Sequence, residues 1–348
     1  MYINELANEL SKRHRVRIYA PVSNKSTLNN NIEYVNFRIF KKSNNCIMRI
    51  IQDISYGLLV WTRLKRADIT HFFHIKTFVI CIFNQKKGKS IVNLQFLFKG
   101  ISAFFIKYAD IIVANSKFLK EQFIKINNYQ ESRIIVVPNA VNLEKFQINT
   151  NLLREKYNIK DKTVIGFIGR IAWDKGIIYL LTAFKMLLDK YRDIVLLIVG
   201  PYKDEEFGEY AHFKELQKII FDNKLGNDVI FTGLIAHEEL PQYYHACDIL
   251  CFPHIWEETF GIVAIEALAC GKPVIISDSG GLAEIISDGL DGFIVKKKDA
   301  EQIASRLSQL IDDTNLRASI SQKARIRAGD FSFEKIAREY ENIYKTLQ

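Results

Sequence analysis

No apolar run in this 348-residue chain reaches the roughly 18 residues that a membrane-spanning helix needs. The two nearest, 70–83 and 91–106, are broken by Lys76 and Lys99, so no transmembrane helix is expected. Cysteine is scarce: the five, at positions 46, 81, 247, 251 and 270, fit no disulfide or zinc pattern. Cys247 and Cys251 merely bracket a strand. A reducing, cytoplasmic setting follows. No signal peptide is read at Met1, where Glu5 and Glu9 fall in an amphipathic pattern. No G-x-G-x-x-G follows a strand, which excludes a nicotinamide-dependent dehydrogenase. No D-x-D sits at a strand end, and the acidic cluster Asp204-Glu-Glu206 reads as a solvated loop, so no metal ligands are assigned. There is no internal repeat and no low-complexity tract.

What is present suits a folded α/β protein. Hydrophobic residues make up 48% and charged residues 25%, and the length accommodates two cores. Charge is uneven: residues 1–150 carry 23 Lys+Arg against 9 Asp+Glu, a net of +14, while the remainder nets −5. A basic half interleaved with aromatics fits an anionic membrane surface or an anionic acceptor. A lysine-rich solvated surface fits equally. Nucleic acid is not expected, because no recognition motif accompanies the charge.

Strands and helices alternate along the chain, which argues parallel, doubly wound sheets. In the second half, strands are expected at 163–168, 195–199, 228–232, 248–252, 274–277 and 292–295. Helices are expected at 176–190, 208–223, 237–245, 261–270 and 282–287. A polar stretch at 147–151 marks a boundary, giving domains 1–148 and 149–330 and a C-terminal helix in 331–348. The first half opens on a helix at 2–13, followed by a strand ending at Pro21.

One stretch, Asp248 to Val274, organises the chemistry. It reads as a strand, a loop with Glu257 and Glu258, a helix from Gly261 to Cys270 stopped by Gly271 and Pro273, and another strand. Ile262, Ile265, Leu268 and Ala269 are expected to face the sheet. The helix start then lies at the carboxyl end of a strand, where open α/β sheets bind ligands. Free N–H groups at Phe260, Gly261 and Ile262 suit an anion, and Gly261 lets it approach. Glu258 and Glu266 flank that position and suit hydroxyl groups. Upstream, Gly166-Phe-Ile-Gly169-Arg170 leads into Lys175-Gly176, placing two cations at another strand end. An anion site beside hydroxyl acceptors describes a nucleotide sugar.

These residues carry a family resemblance. Glu258-Thr-Phe-Gly-Ile-Val-Ala-Ile-Glu266 resembles the E-x7-E signature of GT4-type retaining glycosyltransferases, the glycosyl transferases group 1, and Gly169-Arg170 with Lys175-Gly176 resembles their GR…KG motif. The resemblance implies a GT-B fold: two Rossmann-like domains facing a cleft, with the C-terminal helix crossing back to the first. It implies transfer of a hexosyl group from a UDP- or GDP-sugar to a glycan or lipid-linked acceptor with retention, without a metal or resident cofactor, in cell-surface glycan or glycolipid synthesis. Peripheral attachment to the inner face of a membrane accompanies that reading. Arg170 and Lys175 would hold the diphosphate with the Gly169 turn. Glu258 would accept a sugar hydroxyl, Glu266 the ribose hydroxyls, and the Ile235 backbone the base.

Other positions are less decided. Gly280 and Gly281 resemble a GG-x-x-E loop and shape or touch the site. His71 and His74 are read as acceptor contacts or as core and rim, and Gln95 stands where many relatives carry a histidine. His254 lies beside the glutamates, while His14, His212, His237 and His245 are read as surface. Relatives usually open with a strand and a glycine-rich loop, and here the chain is read as starting at the helix that follows. With Gln95 and a short segment before Ala109, this leaves an alternative: a weakened or inactive relative that binds nucleotide sugar as a partner subunit.

Overall fold

The structure, a computed structural model, describes residues 2–21, 31–37, 46–147, 152–202 and 209–348. The chain divides into two compact units, Met1–Ala140 with Phe333–Gln348, and Val141–Ser332. The boundary expected at 148/149 lies outside the described residues, as does the acidic cluster 204–206. The division falls earlier because Val141 is already bound into the second unit: its N–H donates to Phe331 O at 2.8 Å. Phe146, buried beside Tyr244 with ring centroids 5.6 Å apart, belongs there too.

The second unit is a six-stranded parallel sheet. Its order is Phe293–Val295, Val274–Ser277, Ile249–Phe252, Thr163–Ile168, Ile194–Val199, Val229–Phe231. Its central segments, VIGFI, IVLLIV and ILCF, are apolar without alternation, as strands covered by helices on both faces require. Every residue of Ile194–Val199 is buried. Thr163–Ile168 pairs on one side with the next strand in sequence and on the other with Ile249–Phe252. Winding therefore reverses between these two strands, and ligands of open α/β sheets lie beyond the carboxyl ends at such a reversal.

The predicted strands are present within a residue or two. The helix expected at 282–287 is instead a 3-10 turn, Gly280–Glu284. Two helices outside the expected set follow the last strand, Ala300–Asp312 and Thr314–Ala328. Each is capped by an aspartate: Asp299 accepts from Gln302 N–H and Asp313 from Leu316 N–H, both at 2.8 Å.

The first unit has a four-stranded parallel sheet, Ile69–Phe72, Lys89–Leu94, Ile111–Ala114 and Ile134–Val136, and a parallel pair, Val16–Pro21 with Ile32–Phe37. The last helix, Phe333–Leu347, belongs to this unit. Ile336, Ala337, Tyr340 and Ile343 form one face and pack with Leu6, Leu10, Ile91 and Val113. Each large side chain buried this way contributes about 1.5–3 kcal/mol, which keeps the chain's end on the unit where it began.

Candidate active site

The strand Ile249–Phe252 runs through Pro253 into the loop that precedes the helix Ile262–Ala269. Gly261 caps that helix with φ 97°, and a Cβ there would sit 2.4 Å from Leu282 Cδ1. The left-handed φ strains any residue with a side chain, and a Cβ would also push on the Leu282 side chain, so glycine leaves backbone alone at the tip. The helix ends as expected, with Gly271 at φ 65°. One expectation fails here. Ile262 is 46% exposed instead of facing the sheet, while residues Ala264 to Ala269 are all buried. In so short a helix the first residue lies ahead of the sheet, and burial extends around the rest. Phe260 is buried against Phe331, ring centroids 6.1 Å apart, so only its backbone is available to a ligand.

The neighbouring loop after Val274–Ser277 holds Glu258 in place. Glu258 N–H donates to Ser279 Oγ at 3.2 Å, and Gly281 N–H donates to Glu258 O at 2.8 Å. Ser279 Oγ in turn donates to Trp256 O. Nothing local in the sequence marks Ser279 for this role. No spacing rule links residues of two separate loops.

From Thr163–Ile168 the chain passes Gly169 and the exposed Arg170 into the turn Trp173–Lys175. Ile255 N–H donates to Asp174 O at 2.9 Å, stitching the loops of the first and fourth strands together. Lys175 Nζ then lies 2.7 Å from Glu258 Oε2 and 3.2 Å from Asp174 Oδ2. The two residues, read independently from sequence 83 positions apart, meet as an ion pair. His254 is 3% exposed, with Nδ1 3.5 Å from Glu258 Oε2 and no hydrogen-bond partner. Burial, reinforced by Lys175, pushes its pKa down to about 3, so it stays neutral beside the pair.

Glu266 sits deeper, 6% exposed, and accepts from the fully buried Tyr244 Oη at 2.7 Å. Ile235 follows Val229–Phe231, half-buried against the core at the same carboxyl edge. The histidine reading needs correction at two positions. His212 is fully buried, its ring 4.3 Å from that of Trp173, and His245 is buried with Nε2 2.9 Å from Phe146 O. Both lie on inward helix faces whose apolar neighbours set the packing.

The acceptor-side candidates lie in the first unit. His71 is within a strand, its Nε2 2.5 Å from Asn93 Oδ1, and Asn93 Nδ2 donates to Tyr340 Oη at 2.7 Å. Burial pushes the His71 pKa down to about 4. It is a member of a polar network beneath the last helix. His74 is half-exposed, bonded to Thr77 Oγ1 at 2.9 Å and near Asp53. Gln95 is the first residue beyond Lys89–Leu94.

Residues 149–327, more than half of the chain, match the family of glycosyl transferases group 1. The chain belongs to that family. Residues 1–145 match Glycosyltransferase Family 4. Among curated relatives, the capsular polysaccharide biosynthesis glycosyltransferase CapM of Staphylococcus aureus is 35% identical over 68% of this chain and 61% of its own. The lipopolysaccharide 1,2-N-acetylglucosaminetransferase of Salmonella typhimurium is 33% identical over 67% and 61%. The chain thus spans about three fifths of these relatives. Anabaena HepE, solved with UDP and glucose, superposes with a TM-score of 0.77 at 22% identity, covering 98% of this chain and 95% of that one. The fold is GT-B, with parallel sheets in two Rossmann-like domains.

Within this group 1 chain, Glu266 gives a pH prediction. Burial raises its pKa from 4.5 to about 7, with the Tyr244 hydrogen bond partly opposing. Between those values the folded state binds the extra proton, so stability is greatest below pH 4.5 from this group and falls as pH rises towards 7. Glu266→Gln is expected to flatten that segment of a stability–pH curve measured by urea unfolding. An unchanged slope would remove Glu266 as its source.

Proposed function

We propose that this chain is a retaining hexosyltransferase that uses a nucleotide diphosphate sugar, UDP- or GDP-linked, in cell-surface glycan or glycolipid synthesis. The observation that supports the reading is the Lys175–Glu258 pair at the carboxyl edge where winding reverses, with Arg170 following the end of Thr163–Ile168 and Gly261 opening the neighbouring helix. The diphosphate is the leaving group, and negative charge builds on it as the anomeric bond breaks. Cations and helix N–H groups already in place lower that barrier by several kcal/mol. Until a donor binds, Lys175 neutralises Glu258. A diphosphate takes over the lysine and leaves the Glu258 carboxylate for a sugar hydroxyl. UDP and glucose in the HepE structure and the N-acetylglucosamine in the Salmonella relative's name support donor and sugar class.

We also propose metal-independent transfer, with Arg170 and Lys175 supplying the positive charge that the leaving diphosphate needs. Incubation with labelled UDP- and GDP-sugars and a polyprenyl or glycan acceptor should yield transferred sugar, undiminished by EDTA. Loss of turnover on chelation would overturn metal independence. Donor binding without any turnover would favour the inactive-partner alternative instead.

A further inference from the structure

His254 carries a buried nitrogen that the chemistry above leaves unused. The side chain is almost fully enclosed, and its Nδ1 has no hydrogen-bond partner. Glu258 Oε2 lies 3.5 Å away, longer than a hydrogen bond. Buried polar atoms in folded chains are nearly always paired, so one left alone beside a ligand-binding carboxylate points to a bond that forms later.

The backbone on either side of His254 is pinned to the loop that carries Lys175. Pro253 O packs so closely on Gly176 that a Cβ there would come within 2.0 Å of it. Ile255 N–H donates to Asp174 O at 2.9 Å. The backbone under the ring therefore cannot drift from Lys175 and Glu258 without parting the two loops.

Glu258 has two nitrogens within reach, Lys175 Nζ at 2.7 Å and His254 Nδ1 at 3.5 Å. A diphosphate competes for the first, because an ammonium on a flexible stem follows the greater negative charge. The second stays in place and is uncharged: burial, then the field of Lys175, disfavour the imidazolium, with Asp174 opposing. Beside a carboxylate oxygen the neutral ring takes the tautomer with hydrogen on Nδ1, since an acceptor does not face an acceptor. A closure of about 0.5 Å brings it to the usual N–H···O distance. Such a donor fixes the carboxylate's orientation without cancelling the charge that a sugar hydroxyl binds to.

We propose that His254 is a positioning residue for the hexosyl group: as a diphosphate draws Lys175 away, His254 Nδ1–H takes over Glu258 Oε2 and leaves Oε1 for a sugar hydroxyl. This rests on the reading of Glu258 as the group that accepts that hydroxyl, and adds the group that orients it.

The test separates the sugar from the nucleotide. Titration calorimetry compares UDP and GDP with UDP-glucose and GDP-mannose on the wild-type chain, His254→Phe, His254→Asn and Glu258→Gln, beside rates of sugar transfer. His254→Phe keeps a ring but no donor, and its affinity for the bare nucleotide should stay within about threefold of wild type. Its affinity for the sugar nucleotide that wild type prefers should fall about tenfold or more, as should transfer, the size of a lost hydrogen bond to a charged group. His254→Asn places an amide N–H near the Nδ1 position and should recover most of both. Bare-nucleotide and sugar-nucleotide affinities that fall together in both variants make His254 a packing residue and overturn the proposal. So does wild-type sugar-nucleotide affinity in His254→Phe beside a loss in Glu258→Gln. A Glu258→Gln chain that holds sugar nucleotide like wild type overturns the reading of Glu258 itself, and this inference with it.

Discussion

Lys175→Ala is expected to weaken binding of a nucleoside diphosphate by about 1–3 kcal/mol, the value of a charged hydrogen bond. Turnover should fall further, by about 10²-fold, because the lost cation stabilises charge that grows towards the transition state. Two features of the site set this size. Lys175 Nζ is only partly open to solvent and already sits 2.7 Å from Glu258, so its charge is weakly screened. Its removal also leaves the Glu258 carboxylate without its partner, repelling the incoming phosphates. Lys175→Arg keeps the charge and should recover part of the binding. Titration calorimetry with UDP and GDP, beside initial rates, checks the claim. Wild-type affinity and rate in the alanine variant would take Lys175 out of the site.

The second large effect is structural. Gly176 has φ 66°, and a Cβ there would lie 2.0 Å from Pro253 O and 2.9 Å from Ile255 Cγ2. A left-handed alanine costs about 1–2 kcal/mol before any clash. The oxygen is backbone and cannot rotate away, so the loops of the first and fourth strands must part. Gly176→Ala should therefore lower unfolding free energy by about 2–4 kcal/mol and separate Lys175 from Glu258. Gly329→Ala, with open space around its Cβ position and ordinary φ, is the control and should be near neutral. Equal unfolding midpoints for the two variants would refute the crowding argument.

The strands and the pivotal helix were legible because their signals are local. The apolar run Ile249–Phe252, Gly261 before the helix and Gly271 after it each act within a few residues. Arg170, Lys175 and Glu258 were legible as motif members, and the fold brings the last two into contact. Facts created by tertiary packing were hidden. Ile262 carries an apolar side chain at a helical repeat, yet lies ahead of the sheet edge. His212 and His245 look like surface residues because their burial depends on Trp173 and Phe146, distant in sequence. The loop 279–281 looks like a glycine turn in sequence, but its hold on Glu258 runs through the Ser279 hydroxyl as well as the Gly281 N–H. Tyr244, the partner of Glu266, gave no signal for a similar reason: a tyrosine 22 residues away reads only as core.

The most direct test of the account is a structure of the chain with a nucleoside diphosphate bound. The account places the diphosphate against Arg170, Lys175 and the backbone N–H groups at Gly261 and Ile262, with Glu266 towards the ribose and the Lys175–Glu258 pair opened. A nucleotide bound elsewhere, or one in this place with Lys175 still paired to Glu258 and Arg170 turned away, would contradict it.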